Sequence, residues 1–106
     1  MSHLTTHILD ATAGVPATGV AVTLAGPDGA ALASGQTDAD GRLALGPDAL
    51  ESGDYTLTFA TGPYFAAQGI EAFYPSVTVA FTVADRPHYH VPLLLSPFAY
   101  STYRGS

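Results

Sequence analysis

Short segments in which apolar and polar residues alternate strictly, cut at near-even intervals by glycine, proline and aspartate, constrain this chain more than any other feature. Tyr55, Leu57 and Phe59 alternate with Thr56 and Thr58, and Val77, Val79, Phe81 and Val83 recur at every second place. A period of two places such side chains on one face of a half-buried strand, a pattern that no helix can bury. Breaks such as Gly26-Pro27-Asp28-Gly29 and Thr37-Asp38-Ala39-Asp40-Gly41 supply the restricted and permissive backbone angles of tight turns. The pattern predicts strands over residues 4–10, 20–25, 30–36, 42–45, 55–59, 74–83, 88–95 and 98–103. Residues 47–52 are expected to make a single helical turn. A short helix over residues 63–68 is expected after a Thr61 cap, with Pro63 in its first turn and Gly69 as its stop. About eight strands and one helix read as an all-β sandwich.

The 106 residues suit one domain, 1–106, with a single core. Only 11% of residues are charged, so neutral or apolar surface is left over that fits contact with other subunits. There is no lysine and the net charge is -6, which argues against nucleic acid and against an anionic membrane as partners. Without cysteine the chain has no disulfide, no thiol catalysis and no cysteine-type zinc site. No basic leader, transmembrane-length apolar run or peroxisomal tripeptide is seen, so the chain is expected to be mature and cytoplasmic.

The residues with chemical potential gather near the end, in HYHVPLLLSPFAYSTYRGS. His88 and His90 stand two apart on one strand and share a face, a spacing that suits proton transfer or metal chelation. A histidine on a sheet is more often incidental, but the pair is less easily dismissed. His7 sits mid-strand between Thr6 and Ile8, where a satisfied structural histidine is the common explanation. His3 is expected in a frayed terminus. Arg42 offers a planar fork for carbonyls or carboxylates, against the plainer reading of a surface ion pair with Asp38 or Asp40. Arg86 is expected to serve only solubility, and Asp10 to be a turn residue. Spacing alone reaches a sandwich with a possible His/His/Arg cluster.

Longer motifs carry more. LTTHILDATAGVPATGVAVTL, TDADGRL, YFAAQGIEAFYPSVTVAF and the C-terminal HYHVPLLLSPFAYSTYRGS together resemble the transthyretin-like family, and within it the 5-hydroxyisourate hydrolases of urate breakdown. The likeness spans nearly the whole chain, and the YRGS ending is the mark that separates those hydrolases from transthyretin proper. The one departure noticed is Phe98-Ala99, where the family often has Tyr-Gly. The resemblance implies a sandwich of two four-stranded antiparallel sheets with one short helix. It also implies a homotetramer, a dimer of dimers with its sites at the dimer–dimer interface.

By the same resemblance, His7, Arg42, His90 and Ser106 are the catalytic residues. Tyr103, Arg104 and Gly105 join them in binding substrate, with no cofactor and no metal. The implied reaction opens 5-hydroxyisourate to 2-oxo-4-hydroxy-4-carboxy-5-ureidoimidazoline by direct attack of water. His7 and His90 share the proton work, Arg42 with Arg104 holds the carbonyls, and Ser106 orients a histidine or the water. Loss of His88 is expected to be mild. Three rivals stand beside this reading: a transthyretin-type small-ligand carrier, a zinc enzyme using His7, His88 and His90, and a purely structural module.

Overall fold

A computed structural model describes residues 3–106. The first strand, β1 (Leu4–Asp10), has the bounds its alternation predicts, with Leu4, Thr6, Ile8 and Asp10 buried and Thr5, His7 and Leu9 on the opposite face. There follow β2 (Val15–Pro16), β3 (Ala21–Ala25), β4 (Ala31–Gln36), β5 (Arg42–Leu45) and β6 (Gly53–Phe59). The helix α1 (Thr61–Ala66) comes next, then β7 (Val77–Val83), β8 (Tyr89–Ser96) and β9 (Ala99–Thr102).

The strands form two sheets. One has four strands in the order β4-β3-β6-β7; the other has five, in the order β2-β1-β8-β9 with β5 also on β1. Both β2 and β5 lie on the same edge of β1, β5 opposite residues 4–7 and β2 opposite residues 9–10. The two-residue β2 is the fifth strand beyond the expected four. The expected all-antiparallel pairing also has one exception, because β1 runs parallel to β8, with Thr5 opposite His90. Parallel neighbours cannot be joined by a hairpin and need a long crossover. Here nearly the whole chain lies between them.

The sheets close on a core that includes Leu4, Ile8, Leu24, Leu57, Phe59, Phe65 and Leu93, all almost wholly buried. Each such side chain stabilises the fold by about 1.5–3 kcal/mol before the entropy of ordering is counted. Buried polar groups on β1 are satisfied. The Thr6 hydroxyl donates to the Val91 carbonyl at 2.6 Å. The Asp10 carboxylate accepts the N–H groups of Thr12 and Ala13 through Oδ1 and the Tyr64 hydroxyl through Oδ2. Asp10 therefore shapes the turn after β1, as expected, and also ties α1 to the sheet.

Three local expectations fail. Thr61 does not cap α1: it is the first helical residue, and its hydroxyl is buried without a hydrogen-bond partner among the described residues. Residues 47–52 form bends and irregular backbone in place of a helical turn. His3 is not frayed. Its ring is buried, Nδ1 accepts the Leu50 N–H at 2.9 Å, and Nε2–H donates to the Arg86 carbonyl at 2.6 Å. This histidine staples the loop before β6 to the turn before β8.

Candidate active site

The outer face of the five-stranded sheet gathers most of the candidate residues. Strand alternation sends Thr5 and His7 outward from β1, and the sheet register sets Arg42 of β5 opposite His7 and His90 of β8 opposite Thr5. Thus β1 lies between an arginine strand and a histidine strand. His7 is consequently half-buried on this outer face. An apolar core position is not being sacrificed there.

A cavity of about 360 Å³ opens over this face, lined by Thr5, Arg42, Leu43, His88, His90 and Ser106 among others. That volume lies in the range of small-molecule sites. A second cavity of about 470 Å³ adjoins it and is lined by Arg86, His88, Tyr103, Arg104, Gly105 and Ser106. His88 and Ser106 belong to both. The fold therefore brings Arg42, His90 and Ser106 to one cavity and sets Tyr103 and Arg104 around the next. His7 lines neither cavity: it stands opposite Arg42 across β1 and β5, and its Nε2–H donates to the Asp40 carbonyl at 2.9 Å. With that hydrogen on Nε2, a neutral His7 keeps its lone pair on Nδ1.

His90 is the most constrained of these groups. Its backbone pairs with Gly105, whose N–H donates to the His90 carbonyl at 2.9 Å. The pairing lays the chain end directly over the imidazole: a Cβ at position 105 would stand 2.5 Å from His90 Cδ2 and 3.2 Å from Pro92 Cγ. Gly105 has no positive φ, so its glycine is there for space and not for backbone freedom. The His90 imidazole sits below its ordinary pKa of 6.5, first because it is partly buried, then because the Arg42 guanidinium stands nearby, with His88 and His7 adding to the effect whenever they are protonated. It is accordingly neutral at pH 7, with a lone pair to offer.

Arg42 is exposed, and the plainer ion-pair reading with Asp38 finds that carboxylate otherwise engaged. Asp38 Oδ1 accepts the backbone N–H groups of Asp40 and Arg42 and shapes the turn before β5. Arg42 lines the cavity, as does Asp38. Among the described residues, no group of three or more His, Cys, Asp or Glu side chains is gathered in metal-binding geometry.

Thr5 is the residue that sequence reasoning missed. Its hydroxyl lies 2.8 Å from His90 Nδ1 and 2.9 Å from His88 Nε2, between two imidazoles with centroids 6.4 Å apart. A threonine on a strand carries no signal by itself. Only its shared face with His7 was legible, and its register against β8 was not.

Known proteins of the same kind are readily found. The HIUase/Transthyretin family matches over residues 4–105. The 5-hydroxyisourate hydrolase of Caulobacter vibrioides is 49% identical, the alignment covering 100% of both chains. The solved 5-hydroxyisourate hydrolase of Klebsiella pneumoniae superposes with a TM-score of 0.91 at 44% identity, covering 99% of this chain and 100% of that one. Transthyretin from Sparus aurata also gives a TM-score of 0.91, at 34% identity, covering 99% of this chain and 97% of its own.

Proposed function

The chain belongs to the HIUase/Transthyretin family, and we propose on that basis that it hydrolyses 5-hydroxyisourate in purine degradation. The observation that supports this most is one cavity that joins a neutral imidazole, a guanidinium and a hydroxyl, those of His90, Arg42 and Ser106. Backbone shape does not separate hydrolase from carrier, since a hydrolase and a transthyretin superpose equally well. Identity favours the hydrolases, at 44–49% against 34%. A carrier would also have no use for a base held beside a cation.

In this reading water attacks a ring carbonyl of the substrate. His90 takes the water's proton through Nε2, and a base positioned in this way contributes roughly 100- to 10,000-fold. The Arg42 fork holds the carbonyl and stabilises the oxyanion that forms on it. His7, protonated at Nδ1 while its Nε2–H stays on the Asp40 carbonyl, gives the leaving nitrogen that Nδ1 hydrogen and is restored through solvent by the proton His90 has taken. The Ser106 hydroxyl orients the water. The ring amide opens to a carboxylic acid and a ureido nitrogen, giving 2-oxo-4-hydroxy-4-carboxy-5-ureidoimidazoline. Tyr103, Arg104 and Gly105 close the site, with Arg104 reaching substrate from the adjoining cavity. The reading has no role for a cofactor or a metal.

Assembly belongs to the same proposal. Strands β7 and β9 each end a sheet with a free edge, and a cavity of about 310 Å³ lined by residues of both lies between them. Such edges invite strand pairing with a second copy. Val15, Phe98, Tyr100 and Tyr103 add exposed apolar surface for a further contact between dimers. These surfaces support a homotetramer with its sites at the dimer–dimer interface, which sedimentation analysis tests. No helix among the described residues is long and apolar enough to cross a membrane. We place the protein in the cytoplasm because nothing in it calls for an oxidising compartment.

A coupled ultraviolet assay tests the function. Urate oxidase generates 5-hydroxyisourate in the cuvette and its decay is followed. Decay accelerated by the wild-type protein and not by His90→Ala is the expected result. No acceleration by the folded protein would transfer the case to the carrier reading.

A further inference from the structure

We propose that Thr5 is the positioning residue of the site: its hydroxyl, together with His88, holds His90 in the tautomer that leaves Nε2 bare for the incoming water. The inference rests on the hydrolase reading above for its kinetic consequence, though not for the tautomer itself.

The argument begins with hydrogen counts. A hydroxyl carries one hydrogen and two lone pairs, and a neutral imidazole carries one N–H and one bare nitrogen. Thr5 Oγ1 meets one nitrogen from each of two rings, His88 Nε2 at 2.9 Å and His90 Nδ1 at 2.8 Å. It can donate to only one of them, so the other ring must donate to it. If Thr5 donates to His88, then His90 holds its hydrogen on Nδ1 and presents a bare Nε2. If Thr5 donates to His90, the hydrogen of His90 moves to Nε2 and the base is lost. A third arrangement, both rings donating to the two lone pairs, leaves the hydroxyl hydrogen without an acceptor among the described residues. With every group paired the two rings are linked, and His88 decides the matter by accepting the hydroxyl hydrogen.

Charge selects the first arrangement. The Arg42 guanidinium shares the cavity with His90 and lowers the proton affinity of that ring. A neighbouring cation favours a lone pair over an N–H on the nitrogen that faces it. With Nδ1 held at Thr5, the nitrogen left to face the cavity is Nε2. Once Nε2 takes the water's proton, the Nδ1–H bond to Thr5 remains in place and steadies the imidazolium. The orienting partner of a catalytic histidine is commonly a carboxylate, which holds tautomer and direction together. Here a neutral hydroxyl backed by a second imidazole does so without adding a negative charge that would compete for Arg42. His88 then belongs to the machinery, against the sequence expectation that its loss is mild.

The test has a spectroscopic arm and a kinetic arm, both on the full chain. Long-range nitrogen–proton correlation spectra of histidine-labelled protein report which ring nitrogen of His90 carries hydrogen. Nδ1–H is expected in the wild type and Nε2–H in Thr5→Val, which keeps the branched shape and removes the hydroxyl. In the coupled assay Thr5→Val should lose about 10- to 100-fold in kcat, with KM within about twofold, the signature of an interaction needed for chemistry more than for binding. Thr5→Ser should restore both readouts. His88→Ala should lose activity in the same direction, and adding it to Thr5→Val should cost nothing further. An Nε2–H tautomer in the wild type, or Thr5→Val with unchanged kcat, would overturn the proposal. So would Thr5→Ser as defective as Thr5→Val, which would make the role one of packing. A wild type that shows the Nδ1–H tautomer but no hydrolysis would sink the hydrolase reading and spare the geometry.

Discussion

Replacing Gly105 by alanine asks how closely the terminal segment must lie on His90. A Cβ built there stands 2.5 Å from His90 Cδ2 and 3.2 Å from its Cγ. Carbon atoms in contact settle at about 3.5–4.0 Å, so ring and chain must part by roughly 1 Å. Two routes give that relief. The imidazole can turn away, which disturbs the 2.8 Å contact of Nδ1 with Thr5, or the terminal segment can lift, which breaks the 2.9 Å bond from Gly105 N–H to the His90 carbonyl. Either displaces a group that the proposed mechanism uses. A misplacement of about 1 Å costs on the order of 100-fold, equal to about 2.7 kcal/mol on the barrier. Stability should hardly change, because one net backbone hydrogen bond near the chain end is worth about 1 kcal/mol at most. The assay is the coupled ultraviolet decay, run beside thermal denaturation. Gly105→Ala with kcat/KM within about twofold of wild type would refute the close-packing argument. A large fall in Tm would show that position 105 serves the fold and not the site.

Removing the guanidinium in Arg42→Gln should lower kcat by roughly 100- to 1,000-fold, the usual cost of losing an oxyanion donor, with circular dichroism unchanged. In the proposed mechanism the neutral imidazole of His90 is the active form, so activity should fall with decreasing pH only below the ordinary value of 6.5, since burial and neighbouring charge lower its pKa. Residual activity of Arg42→Gln should lose its acid limb at a higher pH than wild type, because part of that charge is gone. A profile that stayed put would separate His90 from Arg42. Away from the site, Tyr64→Phe leaves the buried Asp10 carboxylate without its hydroxyl donor. It should destabilise by about 1.5–3 kcal/mol in urea titrations while sparing kcat.

The legibility of this chain follows the range of the forces involved. Alternation fixes β1 at Leu4–Asp10 and β5 at Arg42–Leu45 because the pattern is local and each strand buries one face. The helix cap at Thr61 failed because its hydroxyl was drawn into the buried side of the fold, where packing outweighed local bonding. His3 was misread because position near a terminus says nothing about partners such as Leu50 and Arg86, which the fold brings from far along the chain. The family motif pointed to His90 and Gly105 without revealing that one is the roof of the other. Thr5 stayed invisible for the same reason. Its importance depends on the β1–β8 register, which is set by tertiary pairing and by no pattern in either strand.

That parallel pairing also governs when the protein can first work. Thr5 meets a partner 85 residues away, and closing so long a loop must precede any reward from the contacts it makes. During synthesis β3, β4 and β6 can pair early, while β1 waits with the edge destined for β8 uncovered. An uncovered apolar strand is the segment most exposed to wrong partners in a half-made chain. Maturation of the nascent protein should therefore be limited by the docking of β8 on β1, and catalytic competence should arrive in the same step as protection from aggregation.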